Sequence, residues 1–381
     1  MAWAYVIRSS DRAMFKRCRR AWDLGSRSQQ NYEPVQPARA FDFDQAIHDA
    51  LALYYFPGMW AWNREIVIPM VLDGFFKSME RQRTACLETR ALSDKEEKAW
   101  NSELELGQGM LEHYFVWAPT IDRFEPIRVA SDFEVNIPDP CRPGHDLAAP
   151  RTTPHLPIRY RGRCDVLALD GYDAYWIIDH RIAGETWAEL DQLLLDERGV
   201  AACWALQNFD PGMKIAGVIY NEIRKAVPNE PCAATIPARS VLTTPGVMQK
   251  LLPRLAPRGL YRSAVREPEH RVEQRGNAFF RRTAIARSQK ELENAGRQIA
   301  LEALDIADPD SLLYANPVWE ACSVCAYRRP CMAMNEGANA EAILSSFYRK
   351  RTDDEFEPGR LGGSTWSIDR GSVPPNLGRK G

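Results

Sequence analysis

Two groups of residues in this sequence are of types and spacings that can do chemistry. The first is cysteine. Cys322, Cys325 and Cys331 stand in CSVCAYRRPC, a C-x2-C-x5-C spacing, and Cys18 stands far upstream in FKRCRRAW. Soft thiolates at this spacing wrap a compact metal centre, and Cys18 is the best-placed residue to supply a fourth ligand, which would fasten the beginning of the fold to its end. Structural zinc and unrelated cysteines are the other readings of the same pattern. The second group is carboxylate. Asp165 in RGRCDVLAL and Asp179 in YWIIDHR flank Asp170-Gly171-Tyr172-Asp173, and an Asp-Gly between two β-rich runs predicts a hairpin. With the turn centred on Tyr172, opposed residues have numbers summing to 344, as 165 and 179 do. Opposed Cβ atoms lie about 4.5–5.5 Å apart, a separation that one hard divalent cation can bridge. Arg181, two residues past Asp179, shares its face. A plain salt bridge from Arg181 to either aspartate at a strand end is the competing reading.

The elements that must hold these groups follow from periodicity. Ser10 or Asp11 can cap a helix over Arg12–Leu24, and a proline-containing loop follows at Tyr32–Pro37. Phe41–Phe56 carries Ala46, Ile47, Ala50, Leu51, Leu53 and Tyr54 at helical spacing. Residues 64–83 and 94–117 predict two further helices. Phe133–Ile137, Ile158–Leu169, Ala174–Arg181 and Lys214–Glu222 predict strands, with a helix at 188–208 and a proline-rich loop over 138–157. The basic stretch 246–304 predicts mostly helix. Residues 352–381 offer little to bury and predict a disordered tail. Helices, then a short sheet, then more helices point to an α/β core with a helical N-terminal elaboration.

Bulk properties narrow the class. The chain has 381 residues, 45% apolar and 26% charged, with a net charge of −2. That composition suits a globular protein with a full-sized core. No apolar run is long enough to cross a bilayer and no signal-peptide pattern opens the chain, so the expectation is a cytoplasmic protein with no membrane partner. Nine cysteines in this length do not make a disulfide scaffold. No GxxxxGK[ST] phosphate loop is present, which removes the nucleotide-driven motors. Charge is unevenly spread. Residues 250–290 carry eleven Lys/Arg against three Glu, and residues 8–20 carry six against Asp11. Such stripes serve phosphate binding, or are solvated helix faces.

RGRCDVLAL followed by YWIIDHR resembles the paired motifs of the PD-(D/E)XK nuclease superfamily, in which an Asp on one strand precedes an acid-x-Lys on the next. With one Cys ahead of the core and C-x2-C-x5-C behind it, the chain resembles more narrowly the RecB/AddB-like branch with a four-cysteine iron–sulfur staple, which includes phage-type and CRISPR-associated exonucleases. The resemblance spans about residues 10–335. It implies a restriction-endonuclease-like α/β core with a mixed central sheet and a C-terminal Fe–S staple. The expected layout is one domain over 1–351, with a helical part at 10–118, a catalytic core at 125–245, a basic helical and iron–sulfur part at 246–335, and the tail at 352–381. It further implies Mg²⁺ or Mn²⁺ held by His48, Asp165, Asp179 and the backbone carbonyl of His180, with Asp165, Asp179 and Arg181 as catalytic residues. A [4Fe-4S] cluster on Cys18, Cys322, Cys325 and Cys331 is implied as well. The expected partner is DNA, at ends or single strands, met by Arg198, Arg281 and Arg282, with a replication or recombination protein as a further partner. Four positions depart from the pattern. Arg181 replaces the Lys, Arg198 and Ala202 replace a Gln and a Tyr, and Asp44 replaces a small residue ahead of His48. A guanidinium can stabilise an oxyanion but cannot take a proton. The expectation is therefore a metal-dependent DNA nuclease, or else a catalytically silent binding module on the same fold.

Overall fold

In the computed structural model the described residues are 4–36, 40–150, 156–229, 236–243 and 270–351. The expected tail at 352–381 and the basic residues 244–269 lie outside them. Among the described residues no helix is long and apolar enough to cross a membrane.

The chain forms a mixed sheet with helices on both faces. In order, β1 (Tyr5–Arg8), α1 (Ser9–Arg17), α2 (Arg19–Gly25) and β2 (Tyr32–Pro34) precede α3 (Phe43–Tyr54), α4 (Arg64–Thr89) and α5 (Asp94–Ile121). The strands β3 (Phe124–Asn136), β4 (Ile158–Asp170) and β5 (Tyr175–Ala183) follow. Next come α6 (Leu190–Leu194), α7 (Glu197–Phe209), β6 (Ile215–Arg224), β7 (Ile236–Thr243), β8 (His270–Gly276) and β9 (Phe280–Ala286). The chain closes with α8 (Gln289–Ala307), α9 (Trp319–Ser323), α10 (Arg328–Glu336), α11 (Ala340–Phe347) and β10 (Tyr348–Lys350). The sheet order is β1-β4-β5-β6-β9-β8-β7, with β3 on the other edge of β4. β1–β4 and β5–β6 are parallel and the remaining pairs antiparallel. The parallel β5–β6 step is made through α6 and α7, as a crossover requires.

Each face of the sheet has its own core. On one side α1, α7 and α8 cover Ile158, Tyr160, Leu167, Ile177 and Val218. On the other, α3, α4 and α5 cover Val166, Ala168, Ile178 and Ile223. The apolar stripe of α3 does this work, since Ala46, Ile47, Ala50 and Leu51 are fully buried. Helix starts are fixed locally. Ser93 and Glu96 form a capping box on α5, Ser288 and Glu291 another on α8, and Asp42 accepts from the Gln45 amide at 3.0 Å.

Two features of β4 make the site. Its free edge pairs with β1 over Ile158–Arg161 and with β5 over Val166–Leu169, so residues 162–165 face a fork between two diverging strands. At the same level β3 and β4 exchange faces. Ser131 pairs with Cys164 and Val129 with Val166, which sets Ala130 opposite Asp165. Before this point the buried residues of β3 and β4 join one core; after it Val129, Val166 and Ala168 join the other. Ala130 has φ +45°, a left-handed conformation that costs an alanine roughly 1–2 kcal/mol.

Several expectations on the elements need correction. The helix over Arg12–Leu24 is two helices broken at Cys18, whose φ of −165° is extended backbone. The helix at 188–208 is broken at Leu195–Asp196. Within the basic stretch, residues 270–276 and 280–286 are strands, not helix, and they complete the sheet beyond the expected core limit of 245. FRRTAIA buries Phe280 and Arg282 on one face and Thr283 and Ile285 on the other, so it shows no alternation, and its two arginines are tucked against counter-charges.

Candidate metal and nucleic-acid site

The hairpin has the register that the turn dictates. Leu169 pairs with Tyr175, Ala168 with Trp176, Leu167 with Ile177 and Val166 with Ile178, and Asp165 and Asp179 come next in line where the strands part. Asp170 makes the turn by accepting from the amides of Tyr172 at 2.8 Å and Ala174 at 3.0 Å. At the fork, Asp165 Oδ2 accepts from the His180 amide at 2.9 Å, and its Oδ1 lies 3.5 Å from His48 Nδ1 on α3. Asp179 is gripped by two arginines. Arg181 Nε donates to Oδ2 at 2.6 Å, and the Arg198 guanidinium on the first turn of α7 reaches Oδ1. Arg181 also donates to Asp196 Oδ2 at 2.8 Å and lies over the Tyr220 ring. Asp196 in turn caps α7 by accepting from the Gly199 amide at 3.1 Å.

The electrostatics set protonation states. Burial works against charge on His48, yet Asp165, helped by Asp179, raises its pKa above the ordinary value. Burial works against charge on Asp165 too, but His48 and the His180 amide draw its pKa well below the usual carboxylate range. For Asp179, burial and the charge of Asp165 push upward against the pull of Arg198 and Arg181. His180 is lowered to about 3, chiefly by burial, and is neutral in ordinary buffers.

The tautomer of His180 is fixed from a distance. Arg282 can only donate, and its Nε gives a hydrogen bond to Asn221 Oδ1 at 2.9 Å. Asn221 Nδ2 must then donate to His180 Nδ1 at 2.8 Å, which leaves the proton on Nε2. That Nε2 is buried without a hydrogen-bond partner. Its ring stands edge-on to His48 at 5.9 Å and stacks on Tyr55 at 5.6 Å. Arg282 is anchored below by an ion pair to Asp122 and by donation to the hydroxyls of Tyr55 at 2.6 Å and Tyr114 at 2.8 Å.

Among the described residues no three His, Cys, Asp or Glu side chains are gathered as one metal ion requires. At the fork both oxygens of Asp179 are turned to guanidiniums. The donor set itself is right for a hard cation: two carboxylates and an imidazole, with one oxygen of Asp165 committed to a backbone amide. Arg198 is the removable piece, since its side chain is 60% exposed. These are donor types that suit a divalent cation, and Asp179 Oδ1 would be open to one only with Arg198 displaced.

The cysteines lie at the far end of the fold. Cys18 sits in the break between α1 and α2, Cys322 on α9, Cys325 in the turn after it and Cys331 on α10. All four line one cavity of about 210 Å³, together with Trp319, Tyr327 and Met332. Two donors address sulfur: the Asn316 amide to Cys18 Sγ at 3.5 Å, and Arg20 to Cys331 Sγ at 3.5 Å. Hydrogen bonds to sulfur of this kind tune a metal bound through it. The same ends are tied without metal by β10 pairing with β2, and by a small core of Ala21, Leu24, Tyr327, Leu344 and Tyr348. Trp22 packs edge-on to Phe15 inside the main core rather than at the cavity.

Thus His48, Asp165, Asp179, His180, Arg181 and Arg198 meet at the fork, and the four cysteines meet at one cavity. Arg281 and Arg282, expected to contact DNA, do not line a surface. Arg282 is 6% exposed, and Arg281 forks onto Glu222 with both Nε and Nη2 at 2.7 Å. Their partners Asp122 and Glu222 are distant in sequence, so the pairing is tertiary and left no local signal. Asp196 was not foreseen, although an Asp three residues before Gly199 at a helix start is a cap signal. Comparison of the sequence with protein-family models gives no match, and comparison with curated proteins gives none either.

Proposed function

We propose that the chain is a metal-dependent DNA nuclease with a PD-(D/E)XK-type core, acting on ends or single strands. The observation that supports this reading is the 3.5 Å contact of His48 with Asp165 where β4 and β5 part, next in line to an Asp179 held by Arg181 and Arg198. A bound Mg²⁺ or Mn²⁺ supplies Lewis-acid polarisation of a phosphodiester and a more acidic water. Asp165 and Asp179 would supply the carboxylate ligands and His48 the nitrogen ligand. Asp196 fixes the position of Arg181, which offsets negative charge gathering on the phosphate. Arg198, 60% exposed, would be free to turn to a phosphate oxygen if it left Asp179, a geometry that guanidinium forks suit.

The cysteine cavity is read as the seat of a [4Fe-4S] cluster. Zinc would need its four sulfurs about 3.8 Å apart, given Zn–S bonds of about 2.3 Å in a tetrahedron. The cavity that the four cysteines help to line, about 210 Å³, has room for the bulkier centre. Its role is to hold α2 against α9 and α10. Protein purified without oxygen is expected to be brown with about four irons per chain; a colourless protein with one zinc would overturn this part.

The reading is tested by incubating the purified chain with labelled single- and double-stranded DNA and Mn²⁺. Metal-dependent cleavage that disappears in Asp179→Ala is the expected result. The grip of both arginines on Asp179 favours a second reading, a DNA-binding module that has lost its chemistry. That reading prevails if wild type and Asp179→Ala bind DNA equally and neither cuts.

A further inference from the structure

The cavity that the four cysteines share is lined by charge of one sign. Arg17, Arg20 and Arg328 line it, and among the described residues no carboxylate does. Arg20 is the member built into the wall. It is half-buried, its Nη1 donates to Asn335 Oδ1 on α10 at 2.6 Å, and the same Nη1 reaches the sulfur and the carbonyl oxygen of Cys331, each at 3.5 Å. Arg328 lies over the Trp319 ring at 5.9 Å. None of the three forms an ion pair among the described residues, whereas Arg19, which does not line the cavity, pairs with Asp305 at 2.6 Å. Four thiolates around a dipositive centre, cluster or zinc, leave an excess of two negative charges. That excess is the counter-charge the cavity wall lacks. Arg17 and Arg328 are exposed and screened by solvent, so Arg20 carries most of the effect.

We propose that Arg20, anchored by Asn335 and joined at the rim by Arg17 and Arg328, offsets the negative charge of a metal–thiolate centre in this cavity, slowing loss of the metal and raising the reduction potential of a cluster. The redox part rests on the [4Fe-4S] reading of the cavity; the charge balance does not. One added electron takes the excess from two negative charges to three while the bonds to sulfur stay as they are. Fixed cations therefore stabilise the reduced form more than the oxidised one. Donation from Arg20 to the Cys331 sulfur acts in the same direction, because it draws charge from the ligand.

The test uses the full chain purified without oxygen, with iron and acid-labile sulfide counted first. The potential is then read by optical titration with dithionite and redox mediators. Arg20→Gln is expected to move the one-electron equilibrium about tenfold toward the oxidised form, a potential lower by about 59 mV. Arg20→Lys keeps the charge and most of the potential, and Asn335→Ala, which frees Arg20 from its anchor, falls between the two. Metal loss to EDTA is expected to quicken about tenfold in Arg20→Gln but not in Arg20→Lys. If Arg20→Gln holds no iron, Arg17→Gln combined with Arg328→Gln, at two exposed positions, is still expected to lower the potential, and no change there would overturn the proposal. Full iron with an unchanged potential in Arg20→Gln would overturn it too, as would Arg20→Lys behaving like Arg20→Gln. A wild-type chain that holds zinc removes the cluster reading alone; the rate of zinc loss then decides, and equal rates in wild type and Arg20→Gln would sink the charge balance. A wild-type chain that takes up neither metal would sink both.

Discussion

Arg198→Ala probes the point on which catalysis and silence divide. Arg198 holds Asp179 Oδ1 from the first turn of α7 while Arg181 holds Oδ2. A charge-assisted hydrogen bond contributes about 1.5–3 kcal/mol when sheltered, and an exposed ion pair about 0.2–1 kcal/mol. Asp179 is 13% exposed but Arg198 is 60% exposed, so solvent screening brings the pair toward the lower range, about 1 kcal/mol. A cation entering at Asp179 must overcome that contact. Its removal is then expected to tighten Mn²⁺ binding about fivefold, since about 1.4 kcal/mol is a factor of ten. Calorimetric titration of Mn²⁺ into wild type and Arg198→Ala measures this directly. Under the proposed function the same variant is expected to lose affinity for DNA, because it lacks the guanidinium assigned to a phosphate. Unchanged or weaker Mn²⁺ binding in Arg198→Ala would refute the competition and with it the assignment of Asp179 as a ligand.

Other perturbations test the frame. Asp122→Asn leaves Arg282 charged and buried with only hydroxyls and Asn221 as partners, and is expected to cost about 3–5 kcal/mol in urea unfolding; a loss under about 1 kcal/mol would show that the pair is not a structural keystone. Ala130→Gly removes a left-handed alanine where β3 and β4 change faces, and is expected to stabilise the chain by up to about 1 kcal/mol; a destabilisation would mean the turn carries no strain. At the start of α5, Arg90 chiefly, with the amide and hydroxyl of Ser93, lowers Glu96 to about 2. A carboxylate lowered on folding stabilises above its unfolded value, near 4.5, and that support fades as pH falls toward 2. Amide-exchange protection in the first turn of α5, referred to the intrinsic rate at each pH, is expected to fall over that window in wild type but not in Glu96→Gln.

Much of the site was legible because its signals are local. Asp170-Gly171 sets a turn, and a turn sets a register, which brings Asp165 and Asp179 to one level without knowledge of the rest of the chain. The cysteine spacing likewise announced a shared cavity that Cys18 joins from the other end. What escaped depends on distant partners. A four-residue β1 has no periodicity of its own and is defined by pairing with β4, so it could not be foreseen. Arg281 and Arg282 look like surface cations until Glu222 and Asp122 arrive from other elements. The exchange of faces at Ala130 and Asp165 also has no sequence mark, since alanine does not prefer positive φ.

Crystals grown with Mn²⁺ and measured for anomalous scattering address the central claim most directly. The account predicts one strong peak about 2.1 Å from carboxylate oxygens of both Asp165 and Asp179, near His48, with Arg198 swung away. A map in which both arginines still hold Asp179 and the ion is absent from the fork, or bound elsewhere, would contradict it.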